Sequence, residues 1–332
     1  ALSVQGPEEP RTLTQLREAN AIYPGVADLW LARSYALSGD KEESIRFLTG
    51  HLKSEFRLPG DSIKKDKAFD ALQTSAEWHT LWQNEWYNDE EKAEAEINYY
   101  SKKKKYSEAE LLLSGELAKR PDSKALYLLK GKLAFEQGNF AVSIADYTAA
   151  LNLDKNLVSV YPKRGLSFLQ AGKFWDAVSD FNKAIREDPA DFRIYLQRAA
   201  AYAGMKSWEP AIRDVQLYLK YFEDDLEVRH LCGEYSYKAA DYINALKYFN
   251  QVLREDPNNS LYYKSRGKTY LKTATWRYAL SDLSMSLDLN PEDAVARFIN
   301  GRHRHGVVVP AVMMAAGIMM FEVLKYLTGF DD

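Results

Sequence analysis

The sequence has little cysteine and no surplus of positive charge, and both absences narrow the class of protein. Cys232 is the only cysteine among 332 residues, so neither an intrachain disulfide framework nor a thiolate zinc cluster is expected. The lack of disulfides does not determine the cellular compartment, because such a chain folds on either side of a membrane. Lys and Arg total 44 against 47 Asp and Glu, a net charge of −3. Nucleic-acid binders normally carry a positive surplus, so that class is not expected.

Recognisable catalytic motifs are also missing. The sequence has no glycine-rich phosphate loop, HExxH pair, calcium loop or Ser/His/Asp arrangement in a useful local context. His303 and His305 would point in different directions on a helix, so a shared metal is not expected. We therefore expect no cofactor, no small-molecule substrate and no enzyme activity. The chain begins at Ala1 without an initiator methionine, which fits either a removed signal or a trimmed end.

What the sequence does have is a repeat of constant period. Each unit reads as two antiparallel helices that cross closely at small residues. In one unit we predict a first helix from Tyr161 to Gln170, a turn at Ala171–Gly172–Lys173, and a second helix from Phe174 to Arg186 that Pro189 terminates. The small residues of the first helices mark the period, since they recur at equal steps at Gly131, Gly165, Ala199, Gly233, Gly267 and Gly301.

This pattern resembles the tetratricopeptide repeat (TPR) family. Within one unit the matching residues are Tyr161, Gly165, Phe168, Ala177, Phe181, Ala184 and Pro189, whereas Arg164 stands where leucine is usual. The resemblance implies an all-α fold, a right-handed superhelical solenoid of antiparallel helix pairs. It also implies that the first helices line a concave side on which a peptide or helix of a partner protein binds.

The repeat and its interruptions predict five segments. Between residues 58 and 89 the repeat spacing breaks, and the last unit becomes apolar after Gly301. We predict a flexible N-terminal segment at 1–10, an N-terminal helix and first TPR-like pair at 11–57, an irregular Trp-rich helical insertion at 58–89, six consecutive TPR-like units at 90–293, and a degenerate last unit at 294–332.

Trp78, Trp82 and Trp86 follow one another at the spacing of a helical turn, which predicts a tryptophan stripe on one face of a helix. The stripe either anchors a partner or forms a hydrophobic wedge in the irregular segment. We favour the wedge, because helix faces of this spacing are usually core.

Charged residues also follow the repeat. Arg164, Arg198 and Arg266 precede the small residues, and aspartates recur on the second helices at Asp146, Asp180, Asp214 and Asp282. The arginines could bind a ligand, but pairing with the aspartates between adjacent helices is the favoured interpretation. Cys232, which also precedes a small residue, is expected to be a buried, inert thiol.

Some TPR proteins bind chaperone C-terminal carboxylates with a clamp of lysines and asparagines. The resemblance places the asparagine directly after the small residue of the first helix. The residues found there are Lys132, Leu166, Ala200, Glu234, Lys268 and Arg302. Lys264 and Lys268 supply at most half of such a clamp, so we do not expect this role.

The C-terminal unit departs from the pattern. Val307–Phe321 contains no charged residue, and the apolar segment extends to Phe330 with only Glu322 and Lys325 charged. A membrane span needs about 20 apolar residues, so the segment is barely long enough. Insertion or docking at a membrane, burial against a protein and capping of the solenoid all stay open. Preceding arginines favour the cytoplasmic side, whereas a removed export signal favours the opposite side. The candidate contact residues are Val312, Met313, Met319, Met320 and Phe321.

From these observations we predict a scaffold or adaptor that binds a peptide segment or helix on its concave face within a multiprotein assembly. The alternative is a membrane-complex subunit whose C-terminal helix makes the essential contact while the repeats act as a spacer. The candidate partner-binding residues are first-helix positions displaced from the packing rows, namely Lys132, Phe135, Leu169, Gln197, Tyr237, Lys264, Lys268 and Leu271.

Overall fold

A computed structural model describes residues 10–291 of the chain. Every regular element in that range is helical: 17 α-helices and two short 3₁₀ helices. The chain divides between Asp122 and Ser123 into two compact units. We call them the N-terminal unit and the repeat unit.

The N-terminal unit contains the first seven α-helices. A buried core forms where α2 and α3 meet the irregular segment that follows them. The helices are α1 (Pro10–Ile22), α2 (Asp28–Ser38), α3 (Lys41–Lys53), α4 (Gly60–Lys64), a 3₁₀ helix (Lys67–Leu72), α5 (Ala76–Gln83), α6 (Asp89–Lys102) and α7 (Tyr106–Lys119).

The predicted tryptophan stripe is wrong in one respect, because α5 ends at Gln83 and Trp86 lies beyond it. The chain turns away at Asn84, whose backbone is extended, and the Trp86 indole nitrogen donates a hydrogen bond of 2.7 Å to the Leu81 carbonyl at the helix end. The backbone N–H and the side-chain amide of Asn84 also donate to this carbonyl, both at 3.4 Å, so the indole adds the shortest bond at the helix end. All three tryptophans nevertheless join one core cluster, in which Trp78 is buried and Trp82 and Trp86 are partly buried. The wedge interpretation is therefore confirmed.

The repeat unit consists of five helix pairs within the described residues. We call α8, α10, α12, α14 and α16 the first helices, and their partners the second helices. Their bounds are α8 (Lys124–Glu136), α9 (Phe140–Leu153), a 3₁₀ helix (Val158–Val160), α10 (Tyr161–Gln170), α11 (Phe174–Glu187), α12 (Phe192–Gly204), α13 (Trp208–Leu219), α14 (Leu226–Lys238), α15 (Tyr242–Glu255), α16 (Ser260–Lys272) and α17 (Trp276–Leu289).

Within each pair, a large side chain of the second helix lies against the small residue of the first. A Cβ placed on Gly165 would lie 2.8 Å from the ring of Phe181, and one on Gly233 would lie 2.6 Å from the ring of Phe249. Real Cβ atoms do not approach other atoms so closely, so glycine is required at these crossings. Ala177, the predicted small residue of α11, is fully buried.

The turn between the two helices of a pair has one backbone conformation whether or not glycine is present. Gly172 has a left-handed φ of 72°, as expected for the residue after a helix. Lys206, Ala240 and Ala274 occupy the same position in the following repeats and adopt φ values of 59°, 61° and 55°. Left-handed backbone is unfavourable for residues with a Cβ, so the packing of the helix pair imposes this turn.

Candidate peptide-binding surface

The first helices of the repeat unit lie side by side. Besides contacting its own second helix, α10 contacts α12, and α14 contacts α16. Residues on the corresponding faces of these helices therefore form one surface, which we call the first-helix surface. All eight predicted partner-binding residues lie on first helices: Lys132 and Phe135 on α8, Leu169 on α10, Gln197 on α12, Tyr237 on α14, and Lys264, Lys268 and Leu271 on α16.

Contrary to the prediction from the sequence, three of these residues, Phe135, Leu169 and Tyr237, are not clear of the packing rows. The ring of Phe135 lies 5.5 Å from that of Phe140, and the ring of Tyr237 lies 5.8 Å from that of Tyr242. Leu169 packs against a buried core cluster. The cause is their position near the C-terminal end of a first helix, where the turn brings back the start of the second helix. The surface is therefore built from partly exposed side chains held by packing: Lys268 is exposed and the other seven are half-buried.

Gln197 has an unusual environment on this surface. Its side-chain oxygen Oε1 is buried and has no hydrogen-bond partner. An unpaired buried acceptor is unfavourable, so a donor that reached Gln197 would gain a hydrogen bond.

Two residues of this surface were missed from the sequence. Lys163 lies one repeat period before Gln197, and His230 lies one period before Lys264. Desolvation lowers the pKa of the Lys163 ammonium, and the nearby Lys132 lowers it further, although the Lys163 side chain stays exposed. The signal that identifies both residues is their place in the same repeat rows as predicted contact residues.

His230 joins two neighbouring first helices. Its Nε2 lies 2.9 Å from Oγ of Ser265 on α16, and its ring packs 5.0 Å from the ring of Tyr262. Burial lowers the pKa of His230, and Glu234 opposes that effect. His230 therefore fixes the spacing of α14 and α16.

The arginine and aspartate rows pair between helices, as the favoured interpretation predicted. Each arginine donates two hydrogen bonds to one aspartate of its own second helix, with distances of 2.7–2.9 Å. Its third nitrogen, Nη1, donates to a polar residue on the preceding second helix. We call this network the arginine–aspartate ladder; its members are Arg164 with Asp180 and Thr148, Arg198 with Asp214 and Asn182, and Arg266 with Asp282 and Asn250.

Two repeats of the unit depart from the ladder. In the first, Lys130 replaces arginine and donates a single 3.0 Å hydrogen bond to Oδ1 of Asp146. In the other, Cys232 replaces arginine and Tyr248 replaces aspartate. Cys232 is fully buried, as predicted, and burial raises the pKa of its thiol to about 11.

The repeat position of the clamp asparagine also falls on one residue of α6, which was not among the residues compared above. Asn98 on α6 lies one repeat period before Lys132, but it follows Ile97 rather than a glycine. Its Nδ2 donates a 2.9 Å hydrogen bond to the carbonyl of Glu94 on the same helix. Glu94 is acidic, so the residue bonded to Asn98 carries the opposite charge to the lysines of a chaperone clamp.

Some predicted residues fall outside the described part of the chain. These are the C-terminal candidates Val312, Met313, Met319, Met320 and Phe321, together with the histidine pair His303 and His305. Within residues 10–291, no helix is long and apolar enough to cross a membrane. The same range contains no group of three or more His, Cys, Asp or Glu residues suited to a metal ion. The role of the C-terminal segment stays a prediction from the sequence.

Comparisons with known proteins agree with this geometry. Residues 95–156 and 163–222 match the tetratricopeptide repeat family. Hsp70-Hsp90 organizing protein 3 of Arabidopsis thaliana is 24% identical over 216 residues, 54% of this chain and 38% of that protein. Human DnaJ homolog subfamily C member 7 is 31% identical over 115 residues, 33% of this chain and 23% of that protein. The chain thus spans well under half the length of these curated relatives.

A solved structure shows the same fold. The C-terminal part of a TPR repeat-containing protein from Cytophaga hutchinsonii aligns with a TM-score of 0.55 at 16% identity, covering 72% of this chain and 100% of that one. The repeat unit is an all-α, right-handed superhelical solenoid of antiparallel helix pairs. The repeats within residues 95–156 and 163–222 match the tetratricopeptide repeat family, which the chain therefore resembles.

Proposed function

We propose that this protein is a non-enzymatic scaffold that binds a peptide segment or a helix of a partner protein on its first-helix surface. The observation that carries the proposal is the row of partly exposed side chains on successive first helices, of which α10 contacts α12 and α14 contacts α16. Such a continuous surface suits an extended ligand better than a compact small molecule. The resemblance to Hsp70-Hsp90 organizing proteins, whose names describe the assembly of other proteins, supports a role of this class.

The chemistry of the surface favours a ligand that is partly acidic and partly apolar. Phe135, Leu169 and Leu271 offer apolar area, whereas Lys264 and Lys268 add positive charge on α16. Lys132 and Lys163 add a second cationic position on α8 and α10. The asparagine of the chaperone clamp is absent from these first helices, so the proposal rests on apolar and lysine contacts.

Site-specific photo-crosslinking on the full chain tests this proposal. A benzoylphenylalanine at Leu169 or Leu271 should crosslink to the same partner peptide in cells. The matched control is Ile243, which lies on the second helix α15 and is 83% exposed. Crosslinking from Ile243 alone would overturn the assignment of the surface.

Substitution of the lysines is the second test. Lys264→Gln with Lys268→Gln should weaken capture of the crosslinked partner at least tenfold and leave the helical circular dichroism unchanged. Adding Tyr237→Ala should weaken capture further through the loss of apolar contact. Undiminished capture by the folded triple variant would remove these residues from the site.

A further inference from the structure

The interruption of the arginine–aspartate ladder coincides with a cleft between the second helices α13 and α15. In the three repeats that carry the arginine, it spans two successive second helices, as Arg198 does by bonding Asn182 on α11 and Asp214 on α13. Cys232 is too short to span α13 and α15. The two side chains that remain at the ladder positions, Gln216 and Tyr248, join by a single 3.0 Å hydrogen bond. Both line a cleft of about 380 Å³.

Basic side chains from three places converge on this α13–α15 cleft. Lys220 directly follows α13, Arg229 lies on α14 and Arg254 lies near the end of α15. Within the described residues, none of the three has a carboxylate oxygen within 4.0 Å. Arg229 instead donates to the backbone carbonyl of Glu223. The cleft therefore holds three cations without direct carboxylate partners.

The same lining indicates which anion fits. Two carboxylates, Glu223 and Glu255, reduce the net charge of the lining from +3 to +1. The attraction of the three cations and the repulsion of the two carboxylates both scale with the charge of a ligand, so the net positive lining favours an anion. Arginine pairs with carboxylates through two parallel hydrogen bonds. Gln216 and Gln251 add amide groups suited to a peptide backbone.

We propose that the α13–α15 cleft is a second binding site of this protein, which takes the carboxylate side chains of an acidic peptide segment. The site lies between two second helices, with Arg229 contributed from the N-terminal turn of α14, and it is separate from the first-helix surface. One chain then holds two partner segments at once, which is the property that a scaffold needs. The proposal stands or falls independently of the first-helix surface.

Fluorescence anisotropy of the full chain with a short, labelled peptide of alternating Glu and Ser tests the site. The matched control peptide carries Gln in place of each Glu. We expect saturable binding of the Glu peptide, with affinity at least tenfold lower for the Gln peptide. Absence of saturable binding, or equal binding of both peptides, would overturn the proposal.

Two sets of variants locate the binding. Arg229→Gln with Arg254→Gln should lower the affinity at least tenfold. Cys232→Arg with Tyr248→Asp should do the same by restoring the ladder across the cleft, without removing any of its cations. If this second double variant does not fold, the first one decides the test. Lys102→Gln with Lys103→Gln, at the C-terminal end of α6 in the N-terminal unit, should leave the affinity unchanged; an equal loss there would show nonspecific charge attraction and overturn the proposal.

Discussion

Asp146 is the ladder aspartate that pairs with lysine, and this difference gives a testable energetic prediction. Lys130 occupies Oδ1 of Asp146, whereas Oδ2 is buried and has no hydrogen-bond partner. At Asp180, Asp214 and Asp282 both oxygens accept a hydrogen bond from one arginine. We therefore expect Lys130→Arg to stabilise the repeat unit by supplying the missing donor.

The size of the effect follows from two opposing contributions. A hydrogen bond to a charged group stabilises by roughly 1.5–3 kcal/mol. The side chain of residue 130 is 43% exposed, so solvent screening and the ordering of the arginine reduce the gain. The expected net change is about 1 kcal/mol in the free energy of unfolding.

The gain should also depend on pH. Burial raises the pKa of Asp146, and the bond from Lys130 opposes that rise. A carboxyl whose pKa is higher in the folded state contributes stability below its ordinary pKa, and loses it as pH rises through the raised value. A second donor favours the ionised carboxylate and lowers its pKa. Lys130→Arg should therefore stabilise more at pH 7, where Asp146 is ionised, than near pH 3, where it is protonated.

Urea unfolding of the full chain, followed by circular dichroism at both pH values, measures this difference. The matched control is the opposite change, Arg198→Lys, which should cost about 1–2 kcal/mol by removing donors from Asp214 and Asn182. A loss in the control without a gain in Lys130→Arg at pH 7 would refute the reasoning, because the unpaired oxygen would then carry no cost.

Further predictions concern packing and reactivity. Gly165→Ala should destabilise by about 1–3 kcal/mol in urea unfolding, because its Cβ would meet Phe181 at 2.8 Å. Gly115→Ala is its control: nothing lies within 4 Å, so removing a helical glycine should stabilise by about 0.5–1 kcal/mol, and equal effects at both sites would contradict the crossing argument. Cys232 should react far more slowly with iodoacetamide at pH 8 in the folded chain than in urea, because it is buried and its thiol pKa is raised to about 11; equal rates would contradict its burial.

The helices were predictable because their boundaries depend on local signals. The predicted first helix, Tyr161 to Gln170, is the observed one, and the predicted second helix falls one residue short of its observed end at Glu187. The turn residues around Gly172 and the proline after the pair mark these ends in the sequence. Trp86 has no such signal: its spacing from Trp82 favours a longer helix, whereas the structure ends the helix at Gln83 and returns the indole to the Leu81 carbonyl.

The helices that carry the candidate site were predictable from the sequence, but the packing of their side chains was not. Helical spacing places Phe135 and Tyr237 on first helices, but it does not show that Phe140 and Tyr242 return to pack against them. Lys163 was detectable from its row, whereas the contact of His230 with Ser265 depends on the distance between two helices. Tertiary packing decides which parts of a repeat position remain open to a ligand.

The departures from the repeat are the most informative positions in this family of structures, because the shared residues specify only the fold. Lys130 in place of arginine changes the bonding of one carboxylate, and Ala240 in place of glycine changes the strain of one turn. Cys232 changes more, because an arginine at that position would bridge two second helices. Without that arginine, one hydrogen bond joins the ladder positions of α13 and α15 within the described residues, and it runs from Gln216 to Tyr248. A substitution that removes a bridge opens surface between repeats, and a scaffold can acquire a new binding site there without altering its fold.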